Sequence, residues 1–160
     1  MRRTPSAEPT FRRWTGVVLG VIGLVTAVVG SFLPWLRSGT VTRTSYEVLA
    51  LRGFAGLDGV PGEVVRGVWV ALTPLAVSCV VLWAVRFHRI ASWLALVFGT
   101  IAGTVAALAA VQGGDEGALV GISSTGPVVT LGGAVLGIAG AITVLTATSR
   151  TASSIPGGAP

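Results

Sequence analysis

Side chains able to do chemistry are few in this chain, and they are scattered. His88, Cys79 and Tyr46 are the single histidine, cysteine and tyrosine. A histidine-based metal site needs further ligands at short spacing, and a Ser-His-Asp triad needs a carboxylate to orient the ring. His88 instead lies in Arg86-Phe87-His88-Arg89, a tight basic turn. It reads as a turn residue at a membrane surface, with a pH sensor as the alternative. Cys79 has no disulfide partner, sits in an apolar run and reads as a small core residue. Asp115 and Glu116 are the only adjacent acids. Calcium wants about six to eight oxygen ligands, so two carboxylates read as a solvated turn. No P-loop, G-x-S-x-G or H-E-x-x-H occurs. No catalytic residue, metal ligand or cofactor is expected, and neither is an enzyme.

The most conspicuous polar pair is Tyr46-Glu47, within Thr44-Ser45-Tyr46-Glu47. That run fits a capping box, with Thr44 as N-cap and Glu47 at N3. It predicts a short helix from Tyr46 to Arg52, stopped by Gly53. Val48, Leu49, Leu51, Phe54 and Leu57 are too apolar for a free loop, so this helix should lie on a membrane or cap a bundle. Tyr46, Glu47, Leu49 and Phe54 are partner-contact candidates; a helix start with a surface aromatic is the plainer reading. Asp58-Gly59-Val60-Pro61-Gly62 reads as a turn.

The elements that carry these residues are set by charge. Four runs contain no Asp, Glu, Lys, Arg or His: 14–36, 68–85, 90–112 and 127–149. About 20 apolar residues cross the ~30 Å hydrocarbon core of a bilayer. Hydrophobic residues make up 52% of the 160 residues and charged ones 11%, well below the ~25% of a soluble domain. The fold class expected is an all-α membrane protein, an up-down-up-down four-helix bundle with a short outer helix. Its parts are an arm 1–13, a transmembrane domain 14–149 with outer loops 37–67 and 113–126, and a flexible tail 150–160. A pump or proton relay keeps ionisable groups at mid-span, and these spans have none. Thr100, Thr104 and Thr130 are a thin lining for a channel.

The arginines orient the bundle. One side collects Arg2, Arg3, Arg12, Arg13, Arg86, Arg89 and Arg150 against Glu8. The other has Arg37, Arg43, Arg52 and Arg66 against five acids. Positive charge stays inside, so both termini are expected in the cytoplasm of a cell that keeps this chain in its plasma or inner membrane. Arg12, Arg13, Arg86 and Arg89 form a basic ring suited to anionic headgroups. The net charge of +5 lies in connections, and nucleic acid is not an expected partner. All five tryptophans fall at span ends, as in an interfacial belt; Trp14 to Trp35 is 21 residues, about 31 Å of helix. Phe11-Arg12-Arg13-Trp14 faintly resembles a twin-arginine signal. The apolar run is too long for one and ends at Pro34-Trp35 like an anchor.

Small residues repeat in every span. They are Gly16, Gly20, Gly23, Ala27 and Gly30; Gly67, Ala71, Pro74 and Ser78; Ala95, Gly99, Ala102, Ala106, Ala109 and Gly113; and Gly126, Gly133, Gly137, Gly140 and Ala147. A 3.5-residue repeat keeps one seam on its neighbour and predicts close, left-handed packing. Three pairs are G-x-x-x-G proper: Gly16/Gly20, Gly99/Gly103 and Gly133/Gly137. They are either docking faces for another membrane protein or packing inside the bundle. Pro74 is expected to bend the second span.

Four spans with a larger first outer loop is also the layout of claudins, but the claudin pair of cysteines and Trp-Gly-Leu-Trp are missing. Leu33-Pro34-Trp35-Leu36-Arg37-Ser38-Gly39, followed by Thr44-Ser45-Tyr46-Glu47, resembles a segment of small actinobacterial four-span proteins. One of these is an accessory subunit of the mycobacterial MCE lipid-import complex. An Arg-only, Ala/Gly/Val-rich composition resembles that of such high-GC genomes. The resemblance implies partner binding in the cell envelope. The function expected is therefore a non-enzymatic accessory or scaffold subunit of a membrane complex, touching other integral membrane proteins and anionic lipids. A lipid or small apolar-molecule binder is the alternative, and a small homo-oligomeric channel or transporter a further one.

Overall fold

A computed structural model describes residues 8–38, 41–50, 60–112, 120–122 and 124–152. The elements run α1 (Glu8–Phe32), β1 (Pro34–Ser38), β2 (Val41–Thr44), α2 (Ser45–Ala50), α3 (Val60–Ala84), α4 (His88–Gln112), β3 (Val120–Ile122) and α5 (Thr125–Ala152). Four helices are long and apolar enough to cross a membrane, at Phe11–Phe32, Arg66–Ala84, His88–Val111 and Thr125–Ser149. The chain is built as a multi-pass membrane protein.

The helix ends differ from the charge-free runs for local reasons. α1 stops at Phe32, short of the expected Leu36, because Pro34 disfavours helix at the residue before it. Leu33 N–H closes the last turn onto Gly30 O at 3.2 Å, and Pro34–Leu36 becomes strand. α3 begins at Val60, so Val60-Pro61-Gly62 is helix rather than the expected turn. A proline in the first turn costs nothing, since its missing N–H would have had no helical acceptor. The helix also continues through Pro74.

An all-α reading misses a small sheet. The strands pair antiparallel in the order β2-β1-β3, with Arg37 opposite both Thr42 and Gly121. It ties the segment after α1 to the segment before α5. Three strands of five residues or fewer carry too little periodicity to stand out from a loop.

The main packing is between α1 and α5, then between α4 and α5; α3 leans mostly on α4 and barely touches α1. α1 and α5 run antiparallel, with Gly16 against Gly140 and Val144, Gly23 against Gly133 and Gly137, and Gly30 against Thr130. A Cβ on Gly23 would collide with the backbone of Gly137, and one on Gly140 with that of Gly20. The described seam residues of α1, α4 and α5 are thus turned inward, with Ala95, Ala102, Ala106 and Ala147 buried and Ala109 half-buried; Gly113 lies outside the described residues.

The expected seam of α3 is not. Gly67, Ala71, Pro74 and Ser78 are all exposed, and among the described residues nothing lies within 4 Å of a Cβ placed on Gly67. α3 buries a different heptad stripe, Trp69, Leu72, Ala76, Cys79 and Trp83. That stripe prevails because it removes far more apolar area and gives two indole N–H groups buried acceptors.

Candidate functional site

Three features stand out: a hydrogen-bonded aromatic cap at the sheet end, an open groove between α1 and α3, and an arginine cluster at the opposite end.

The cap grows from the capping box. Thr44 N–H donates to Glu47 Oε2 at 2.8 Å, and Glu47 N–H returns toward Thr44 Oγ1 at 3.4 Å. This starts α2 at Ser45 and aims Ser45 and Tyr46 at the bundle. Ser45 Oγ donates to Ser31 O at the end of α1 and accepts from Trp69 Nε1 of α3 at 3.1 Å. Tyr46 stacks on Phe32 at 5.0 Å, and its hydroxyl meets Thr73 Oγ1 at 2.7 Å. Trp35 of β1 packs edge-on against Trp69 at 5.5 Å and donates from Nε1 to Gly30 O at 3.0 Å. Gly126 of α5 lies against the Trp35 ring.

This corrects the tryptophan belt. Trp14 and Trp93 are 61% and 62% exposed, as interfacial residues should be, but Trp35, Trp69 and Trp83 are at 7%, 3% and 3%. The three buried indoles each find an acceptor; that of Trp83 is Ser92 Oγ at 3.4 Å. A span-end tryptophan reads the same in sequence whether it faces lipid or a neighbouring helix. The serines that receive two of these N–H groups, Ser45 and Ser92, were not singled out by sequence for that role. Isolated serines beside apolar runs holding tryptophan are the signal that could have found them.

The partner-contact candidates divide accordingly. Tyr46 is half-buried and built into the cap, whereas Glu47 is exposed but occupied as the helix cap. Leu49 lies in α2, and Phe54 lies outside the described residues. Gly16, Gly20, Gly133 and Gly137 are buried between helices of this chain, and Gly99 meets Ile138. Burial removes these five from any partner surface. Gly103 is half-buried beside Ala134. The channel threonines do not line a common path. Thr100 and Thr104 are exposed and bond back to Leu96 O and Thr100 O of their own helix, while Thr130 is inside. Thr130 Oγ1 is buried without a hydrogen-bond partner among the described residues. It borders a cavity of about 10 Å³ with Ser31, Tyr46 and Thr73, room for about one water.

At the other end α3 turns into α4 over Val85–Phe87. Phe87 N–H bonds Leu82 O at 2.8 Å and Arg86 N–H bonds Trp83 O at 3.2 Å, a Schellman closure. Arg86 takes the left-handed position there, with φ 69°, where glycine is the cheaper residue. Arg12, Arg86 and Arg89 are exposed and Arg13 half-exposed. Arg13 and Arg86 both lie within electrostatic reach of His88, so the start of α1 and the α3–α4 turn share one end. Among the described residues no three His, Cys, Asp or Glu side chains gather to hold a metal ion. Asp115 and Glu116 lie outside the described residues, as do Arg2 and Arg3.

No family model matches the chain, and no curated protein or solved structure matches it either.

Proposed function

We propose that the protein is a non-enzymatic accessory subunit of a larger cell-envelope membrane complex, docked through the outward face of α3. In this reading the spans thread the plasma or inner membrane up-down-up-down, with both termini cytoplasmic and α2 on the outer side. One observation carries the docking: Gly67, Ala71, Pro74 and Ser78 repeat at the spacing of the internal seams, yet face away from their own bundle. In lipid, close approach of backbones over small residues is what holds helices together. On α1, α4 and α5 such stripes meet a helix of this chain; on α3 the stripe is left for a helix of another. The resemblance of the 33–39 and 44–47 segments to small actinobacterial four-span proteins supports a partner in the cell envelope.

The test is recovery of the tagged protein at native expression in mild detergent, with quantitative proteomics, beside a Gly67→Leu/Ala71→Leu variant. The expected outcome is a stoichiometric membrane-protein partner, lost in the variant. Recovery of the wild type alone, or only with further copies of itself, overturns the reading. So does a partner held equally by the variant.

A further inference from the structure

The bundle is not closed between α1 and α3, and two ring-filled posts keep these helices apart. At the arginine end the Trp83 ring lies on Gly20. At the sheet end Tyr46 and Trp69 fill the space beside Ser31 and Thr73. Between the posts the side chains are mostly valines, too short to meet. The result is a groove of about 260 Å³, open to the side, floored by Leu24 and Ala76 and flanked by Val25, Val29, Val77 and Val81. Those four valines are all exposed. The one hydroxyl on the wall is that of Thr73, already taken by Tyr46, so the sheet end of the groove is chemically closed.

The opposite end is charged. Arg13 lies 11 residues before Leu24, about three turns and so on the same face of α1. Arg86 follows Val81 by five residues. Both crowd His88. Thr73 to Val81 is about 12 Å of helix, and Arg86 lies some 7 Å further on. The path from guanidinium to blind end is then roughly 20 Å, about one leaflet of a ~30 Å core with part of its headgroup layer. An arginine in the left-handed turn position, where glycine costs less, keeps a cation just past the end of α3, beyond the Trp83 post and beside the open side of the groove.

We propose that this groove binds one anionic phospholipid, its phosphate at Arg13 and Arg86 and one acyl chain along α1 and α3 as far as Thr73. Charge complementarity selects the occupant. A second apolar helix would find valines to pack on but no use for two cations at the same end. The inference does not rest on partner docking: the groove stripe Thr73, Ala76 and Val80 is centred on a different face of α3 from Gly67, Ala71 and Ser78, and the two border each other at Val81 and Pro74.

Native mass spectrometry of the full chain, released from nanodiscs of phosphatidylglycerol or of phosphatidylcholine, tests it. A single retained phosphatidylglycerol is expected, preferred over phosphatidylcholine. Arg13→Gln and Arg86→Gln should each weaken that preference about fivefold. Val77→Trp, which fills the groove, should remove the adduct of either lipid. Equal retention of both lipids by the wild type overturns the proposal, as does a preference unchanged in the double arginine variant. The arginine variants alter exposed or half-exposed side chains, so they report even where Val77→Trp does not fold. A partner's helix crosslinking to Val25 and Val77 in native membranes would also overturn it.

Discussion

The α1–α5 seam and the outer face of α3 are written in the same residues and do opposite things. Both repeat small side chains at alternating steps of four and three. On α1 and α5 the glycines interlock so closely that no Cβ fits at Gly23, Gly133 or Gly140 without meeting backbone. On α3 a Cβ at Gly67 meets nothing among the described residues. The spacing therefore specifies a face that another backbone can approach, not which backbone comes. α3 turns the stripe outward because its other face carries Trp69 and Trp83, whose rings and N–H groups gain more from burial.

The contrast breaks hardest at the seam. Gly23→Val should cost about 3 kcal/mol or more, since the clash is with Gly137 backbone and no side chain can swing away. Thermal unfolding in detergent, or failure to accumulate in the membrane, reads this out. An unchanged melting temperature would mean that α1 and α5 are not in this contact.

A smaller effect is expected at the start of α2. Glu47→Ala removes the acceptor of Thr44 N–H and should cost about 1 kcal/mol, by the usual worth of a helix cap. Hydrogen exchange should quicken over residues 45–50 and stay slow across α1 and α5. Loss of protection throughout would make the cap part of the main folding unit.

Tyr46→Phe removes the hydroxyl on Thr73 while keeping the stack on Phe32. Hydrogen bonds between membrane helices average about 0.6 kcal/mol, and a loss of that order is expected. Thr73→Val should cost about as much, and the double variant no more than either single. Full additivity of the two would show that the pair is not bonded.

The smallest expected effect tests the comparison from its other side. Gly67→Leu should leave stability within about 0.5 kcal/mol, because the position opens on free space. Helix propensity even favours leucine there. A loss approaching that of Gly23→Val would place a neighbour on this face within the folded chain itself.

Much of the framework was legible in sequence. The charge-free runs located all four long helices, because a residue's transfer into hydrocarbon depends little on its neighbours in space. The capping box was legible for a related reason: Thr44 and Glu47 bond each other's backbone, and the interaction is complete within four residues. The seams of α1, α4 and α5 were legible as stripes. The cap was not, since Ser45 receives Trp69 Nε1 across 24 residues and Tyr46 reaches Thr73 across 27. The sheet was missed too: β1 joins β3 across some 85 residues, and each strand is short.

Sequence alone determined that four helices seek a membrane, that no Asp, Glu, Lys, Arg or His lies in their central apolar runs, and which faces are small enough for close approach. These are properties of single segments in a given solvent. Only the tertiary structure decided which small face is buried, which tryptophans turn inward, and that α1 and α3 stand apart around a groove. Those outcomes are set by competition between faces of one helix for a limited number of neighbours. On α3 two heptad stripes compete, and the one that buries indoles and satisfies their N–H groups takes the inside.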